Sequence, residues 1–125
     1  MAKLFHEADL PHFDSTRDTR DRLDLITENV PVGAKNIKAD RIIYHPGDTC
    51  AKHYHIGCHH LFYVLQGQGL ICSPEGKVRL MPGMVAIIEP EELHWFENDS
   101  DANFVFIEFW TPPPKETIWV VEDDI

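Results

Sequence analysis

The sequence predicts an all-β fold, a sandwich or barrel. Three observations carry this. Runs rich in aromatic and β-branched residues recur at short intervals, clusters of Gly, Pro, Asn and Asp separate them, and no stretch shows an apolar stripe at helical spacing. With 125 residues the chain suits one domain, 1–125, with one core.

Residues 1–22 carry mixed charges and an interrupting Pro11, and read as a solvated N-terminal arm that could extend as an edge strand against a partner subunit. Leu23 and Leu25 then alternate with acids, and Val30-Pro31-Val32-Gly33 turns the chain. Residues 37–44 (IKADRIIY) read as a strand, and His45-Pro46-Gly47-Asp48 as a turn. Residues 51–55 are extended, and Ile56-Gly57-Cys58 bends. Residues 60–66 (HLFYVLQ) are the clearest strand. Leu70-Ile71-Cys72 and 77–80 flank a hairpin turn at SPEG, 73–76. Val85-Ala86-Ile87-Ile88 reads as a buried strand, EPEEL (89–93) as a loop, and 94–97 as the start of a strand. NFVFIEFW (103–110) is the last strong strand, ended by Pro112 to Pro114. The tail ETIWVVEDDI holds one more short strand and an acidic end.

The formal charge is -10, from 11 basic and 21 acidic residues. Such a chain repels phosphate backbones and anionic lipid, so nucleic acid and membrane surfaces are excluded as partners. Three cysteines (Cys50, Cys58, Cys72) make no disulfide framework and point to a reducing compartment. The N-terminus lacks the apolar run of a secretory signal, and no stretch approaches the roughly 20 apolar residues of a membrane span. A soluble, cytoplasmic protein is expected.

Chemistry concentrates in Gly47–Gly67, GDTCAKHYHIGCHHLFYVLQG, which holds His53, His55, His59 and His60. GMVAIIEPEELHWFEN, Gly83–Asn98, adds His94. Residues two apart on a strand share a face, so His53 and His55 aim their imidazoles the same way. If His60 faces inward, so do Phe62 and Val64, while His59, Leu61 and Tyr63 face out. Four histidines in so short a window, with imidazole a preferred ligand for zinc, iron, copper and nickel, point to one metal ion held by both pieces. A competing arrangement is tetrahedral zinc on Cys58 with His53, His55 and His59. Cys50 and Cys72 read as ordinary apolar residues in strands or at strand ends.

These pieces resemble the two motifs of the cupin superfamily. The first is G-(x)5-H-x-H-(x)3,4-E-(x)6-G, matched by Gly47, His53, His55, His60 and Gly67, with histidine where the family usually has glutamate. The second is G-(x)5-P-x-G-(x)2-H-(x)3-N, matched by Gly83, His94 and Asn98, with Glu89 and Glu91 at the inner Pro and Gly. The resemblance implies a jelly roll, or double-stranded β-helix, with 47–67 and 83–98 as its motifs. It implies metal ligands His53, His55, His60 and His94, with His59 as the alternative to His60, because some small cupins place four histidines around manganese or a similar ion.

Four neutral imidazoles leave a divalent ion with about two positive charges, against about one when a carboxylate is present. The ion is then a stronger Lewis acid and favours anionic substrate. Imidazole disfavours magnesium and calcium, leaving manganese, iron, zinc, nickel, copper and cobalt. Glu108, among apolar residues, is a candidate catalytic acid/base if it points inward with Phe106 and Trp110. Glu89, Glu91 and Glu92 are placed to orient an imidazole. The expected function is a metal-dependent enzyme of dioxygenase, isomerase or lyase type acting on a small, oxygenated, chelating molecule. The alternatives are a ligand-binding or sensor module and a purely structural metal. Such folds often pair as homodimers.

Overall fold

The structure, a computed structural model, describes residues 2–14, 20–27, 36–114 and 116–120. A short 3-10 helix, Glu7–Asp9, precedes eleven strands: β1 (His12–Asp14), β2 (Asp21–Ile26), β3 (Lys38–Tyr44), β4 (His53–Ile56), β5 (His59–Gln66), β6 (Gly69–Ser73), β7 (Gly76–Leu80), β8 (Val85–Ile88), β9 (Trp95–Glu97), β10 (Phe104–Thr111) and β11 (Glu116–Trp119). No helix among the described residues is long and apolar enough to cross a membrane.

One sheet has the order β1-β2-β3-β10-β5-β8. The other side is built from two pieces, β7-β6-β9 and β11-β4. Isolated bridges at Thr49–Glu97 and His53–His94 join those two pieces. Non-consecutive neighbours such as β3, β10 and β5 give the double-stranded β-helix that the resemblance implies, one form of the all-β sandwich or barrel read from the strand pattern.

Alternation places the core. In β5, His60, Phe62 and Val64 are buried while His59 and Tyr63 are exposed. In β10, Phe104, Phe106, Glu108 and Trp110 are buried. Phe62 and Phe106 from the large sheet meet Phe96 of β9, with ring centroids 4.7 Å and 5.0 Å apart. Ile42, Tyr44, Cys50, Val64, Leu80, Ile88 and Phe104 complete this apolar cluster, whose burial supplies the main driving force for closing the two sides. Gly67, at φ 72°, turns the chain beside Asn103, and a Cβ there would strike the Asn103 carbonyl oxygen. Both the left-handed backbone and the close approach require glycine.

Two expectations need correction, and two others fall outside the described residues. The arm is not a plain loop: residues 12–14 form β1 on the edge of the large sheet, and β2 already begins at Asp21. β8 is not a buried strand. Val85 is 52% and Ile87 57% exposed, because β8 ends the large sheet and nothing covers its outer face among the described residues. Only Ile88 of that strand is buried. The turn expected at Val30-Pro31-Val32-Gly33 and the acidic end, 121–125, lie outside the described residues.

Candidate metal centre

The site forms where the two motif pieces run antiparallel. Asn98 N–H donates to the Asp48 carbonyl (2.8 Å), Gly47 N–H to Asn98 (3.0 Å) and Cys50 N–H to Phe96 (3.1 Å). His53 and His94 then exchange backbone bonds, 3.1 Å and 2.9 Å. Two histidines far apart in sequence thus sit directly opposite on adjacent backbones. Their ring centroids are 4.4 Å apart. His55, two residues along β4, shares the face of His53 with centroids 4.9 Å apart. One ring nitrogen from each of His53, His55 and His94 lies within 4.8 Å of the others, and all three residues are buried.

Each ring is fixed through one nitrogen. His53 Nδ1–H donates to the Ala51 carbonyl at 2.7 Å, and His94 Nδ1–H to the Glu92 carbonyl at 2.9 Å. A carbonyl only accepts, so both rings carry the proton on Nδ1 and a lone pair on Nε2. His55 Nδ1 is 2.9 Å from the Thr117 hydroxyl on β11, which pairs with β4 in the register Thr117–His55. Nε2 of His55 and of His94 is buried and has no hydrogen-bond partner among the described residues. Buried lone pairs without donors cost free energy when left unmet. A divalent transition metal satisfies them, and this donor set fits one.

His60 also faces inward. Its ring lies 5.0 Å from that of His55 and 5.9 Å from that of His94. It stacks on Trp110 at 4.4 Å, and its Nε2 is 2.9 Å from Oε2 of the buried Glu108. Its Nδ1 is buried and without a partner among the described residues. It stands outside the 4.8 Å set of three. His59 points outward, where its Nε2 pairs with Glu89 at 3.0 Å. Cys58 is buried, yet the histidine that joins His53 and His55 is His94, not the outward His59 that the cysteine arrangement requires. Of the loop acids, Glu92 does orient His94, through its main chain. Glu91 stands where the second motif has glycine and adopts φ 68°, the conformation glycine favours. Its N–H donates to the His55 carbonyl at 2.9 Å, tying the loop to β4.

Burial dominates the electrostatics. It lowers the His53 imidazole to about 4, His55 to about 3 and His94 to about 2, so all three are neutral near pH 7. Burial likewise lowers His60, against the pull of Glu108. Burial pushes Glu108 up, but the charge and hydrogen bond of His60 and a hydrogen bond from Asp40 outweigh it and hold Glu108 below the usual carboxylate range.

Sequence reasoning missed four participants. Asp40 was absorbed into a strand pattern. Thr117 and Trp119, whose ring lies 4.7 Å from His53, belong to a short tail strand whose pairing no local signal gives. Arg20, half-buried, sits in the arm read as solvated, yet its charge acts on His53, His55, His60 and Glu108.

Similar structures support the architecture. The polyketide cyclase RemF from Streptomyces resistomycificus is 21% identical, with 99% of this chain and 90% of that chain covered and a TM-score of 0.83. A predicted oxalate decarboxylase from Thermotoga maritima is 17% identical over 89% of this chain and 100% of that one, TM-score 0.76. A sugar phosphate isomerase of the cupin superfamily from Silicibacter pomeroyi is 22% identical over 82% and 67%, TM-score 0.69. Among curated protein sequences none matches. A family model described as a cupin domain matches residues 40–110, more than half of the chain and nearly all of both motifs' surroundings, and so this protein belongs to the cupin family.

Proposed function

We propose that this protein is a metal-dependent enzyme whose ion is held by His53, His55 and His94, with His60 as fourth ligand. The observation that carries the reading is the set of convergent, neutral, buried imidazoles, each pinned through one nitrogen and offering the other. A bound transition ion supplies Lewis acidity toward a substrate oxygen. Zinc, manganese, iron, nickel, copper and cobalt all suit imidazole.

The chain's own residues do the rest. Trp110 and Phe62 flank His60 and keep that wall of the site dry, with ring centroids 4.4 Å and 4.1 Å from it. Glu108, bonded to His60, is the group that handles a proton. Arg20 adds a positive charge toward the site, which favours a substrate with an anionic oxygen. The structurally similar proteins include a polyketide cyclase, oxalate decarboxylases and a sugar phosphate isomerase. Polyketides, oxalate and sugar phosphates all carry neighbouring oxygen functions able to chelate an ion, which supports a small polyoxygenated substrate here. Three buried thiols, none of them in a disulfide, suit a reducing compartment such as the cytoplasm.

The test is elemental analysis of protein purified without an affinity tag. Parent protein is expected to carry stoichiometric transition metal. His53→Ala combined with His94→Ala is expected to lose it while keeping the β-sheet circular dichroism spectrum. Full metal retention in the double variant overturns the assignment.

A further inference from the structure

We infer that Asp40 is a positioning residue: a neutral acid that donates a hydrogen bond to Glu108 and so fixes the Glu108 carboxylate as acceptor of the His60 Nε2–H. The inference deepens the metal-site reading and rests on it only where it concerns metal affinity.

The argument begins with register. β3 and β10 pair antiparallel with Asp40 directly opposite Glu108. Directly opposed residues project to the same face. Both side chains are buried, Asp40 at 0% and Glu108 at 2% exposure. Asp24 of β2 continues the row opposite Asp40, but its charge is met by Arg22, whose Nε lies 3.0 Å away.

Neither oxygen of Asp40, nor Oε1 of Glu108, finds a donor elsewhere among the described residues. Yet directly opposed residues on antiparallel strands have Cβ atoms about 5 Å apart, which brings the two carboxyl groups within hydrogen-bonding reach of each other. Two ionised carboxylates have no hydrogen to share, and their charges repel strongly in a dry interior. One proton between them removes both costs. Glu108 has a second donor, the His60 N–H at 2.9 Å, which stabilises its ionised form. Asp40 has none, so the proton resides on Asp40. Burial and the Glu108 charge both raise Asp40 well above the usual range, against smaller opposing effects of Lys38 and Arg22.

The resulting order is Asp40 O–H to Glu108, and His60 Nε2–H to Glu108. It sets the tautomer of His60 and leaves Nδ1 as its free lone pair. An outer carboxyl thus determines which nitrogen of a site histidine faces its neighbours.

The experiment uses the full chain. In metal-free protein, nitrogen-15 NMR is expected to show His60 as the Nε2–H tautomer. Infrared spectroscopy at neutral pH is expected to show the carbonyl band of a protonated carboxyl group. Asp40→Asn keeps a neutral donor, so the tautomer stays while the band disappears. Asp40→Leu removes the donor, and a mixture of His60 tautomers is expected. Zinc competition should place Asp40→Asn close to the parent and Asp40→Leu about 10–100-fold weaker. The inference is overturned if the parent lacks the band, if Asp40→Asn retains it, or if Asp40→Leu keeps a single Nε2–H tautomer. Should Asp40→Leu not fold, the band in the parent and in Asp40→Asn still decides. A parent that shows the band and tautomer but binds no zinc overturns the metal reading and leaves Asp40 standing.

Discussion

At the scale of single residues, the site is a collection of imidazoles kept neutral by burial, and that has a consequence for stability. His53 titrates at about 4 in the folded chain against 6.5 ordinarily. Between those values the unfolded state binds the extra proton and the folded state does not. Stability of the metal-free protein is therefore complete above pH 6.5 and is lost as pH falls toward 4. For His53 alone the difference is about 3 kcal/mol. His55 and His94, lowered to about 3 and about 2, act in the same direction. Urea unfolding of metal-free protein is expected to show a fall of at least about 1 kcal/mol per pH unit as pH drops through that window, and a shallower fall in His53→Gln. A stability independent of pH between 6 and 5 would contradict the burial of these rings. Saturating metal should lift the curve at neutral pH, since an ion that binds only the folded state stabilises it by mass action.

At the scale of elements, the site depends on β4 and β9 being held side by side over few residues. Asn98, just past β9, is buried and secures that end. Its Nδ2 donates to the Tyr44 carbonyl (2.9 Å) and the Ala102 carbonyl (2.8 Å), and its Oδ1 accepts from Ser100 N–H (3.0 Å) and hydroxyl (2.7 Å). Asn98→Ala strands these groups and is expected to cost about 2–3 kcal/mol in urea unfolding. A loss below about 0.5 kcal/mol would mean water replaces the side chain. Such elements differ in how far the sequence revealed them. β5 and β10 were legible because inward and outward positions alternate over eight residues each. The inward faces of His53, His55 and His60 followed from the same alternation, and His94 from its interval after Gly83. The pairing of β11 with β4 was not legible, because it joins segments some sixty residues apart through a strand of four. Asp40 escaped because its meaning lies across the sheet: in IKADRIIY an acid at a strand position looks like a solvent-facing residue, and only register places it against Glu108. The exposed face of β8 escaped because VAII carries no polar residue to mark which side is wet.

At the scale of the whole molecule, that exposed face is the feature a lone chain does not explain. Val85 and Ile87 of β8 lie opposite Tyr63 and Leu61 of β5, which lie opposite Ile107 and Phe109 of β10. Two cross-strand rows of three apolar side chains therefore cover the outer surface of the sheet edge, with Tyr63, Val85 and Ile87 substantially exposed. None of the six carries charge, on a chain whose net charge is -10. A basic partner would gain nothing from such a strip, while two equally acidic copies can approach only where neither bears charge. A symmetric dimer places the same strip of both copies face to face across a two-fold axis. A stable interface covers ~800 Å² per partner, and the expectation is that these six side chains, with the exposed Leu65 and Met84, supply the apolar centre of one. Sedimentation is expected to find parent protein as a homodimer at micromolar concentration. Val85→Lys with Ile87→Lys is expected to give a monomer of unchanged fold, because both side chains already face outward and a lysine there meets no core. A monomeric parent, or a double variant that stays dimeric, rules this interface out. Neither outcome touches the histidine cluster, whose members lie on the inner face of β5, on β4 and just before β9.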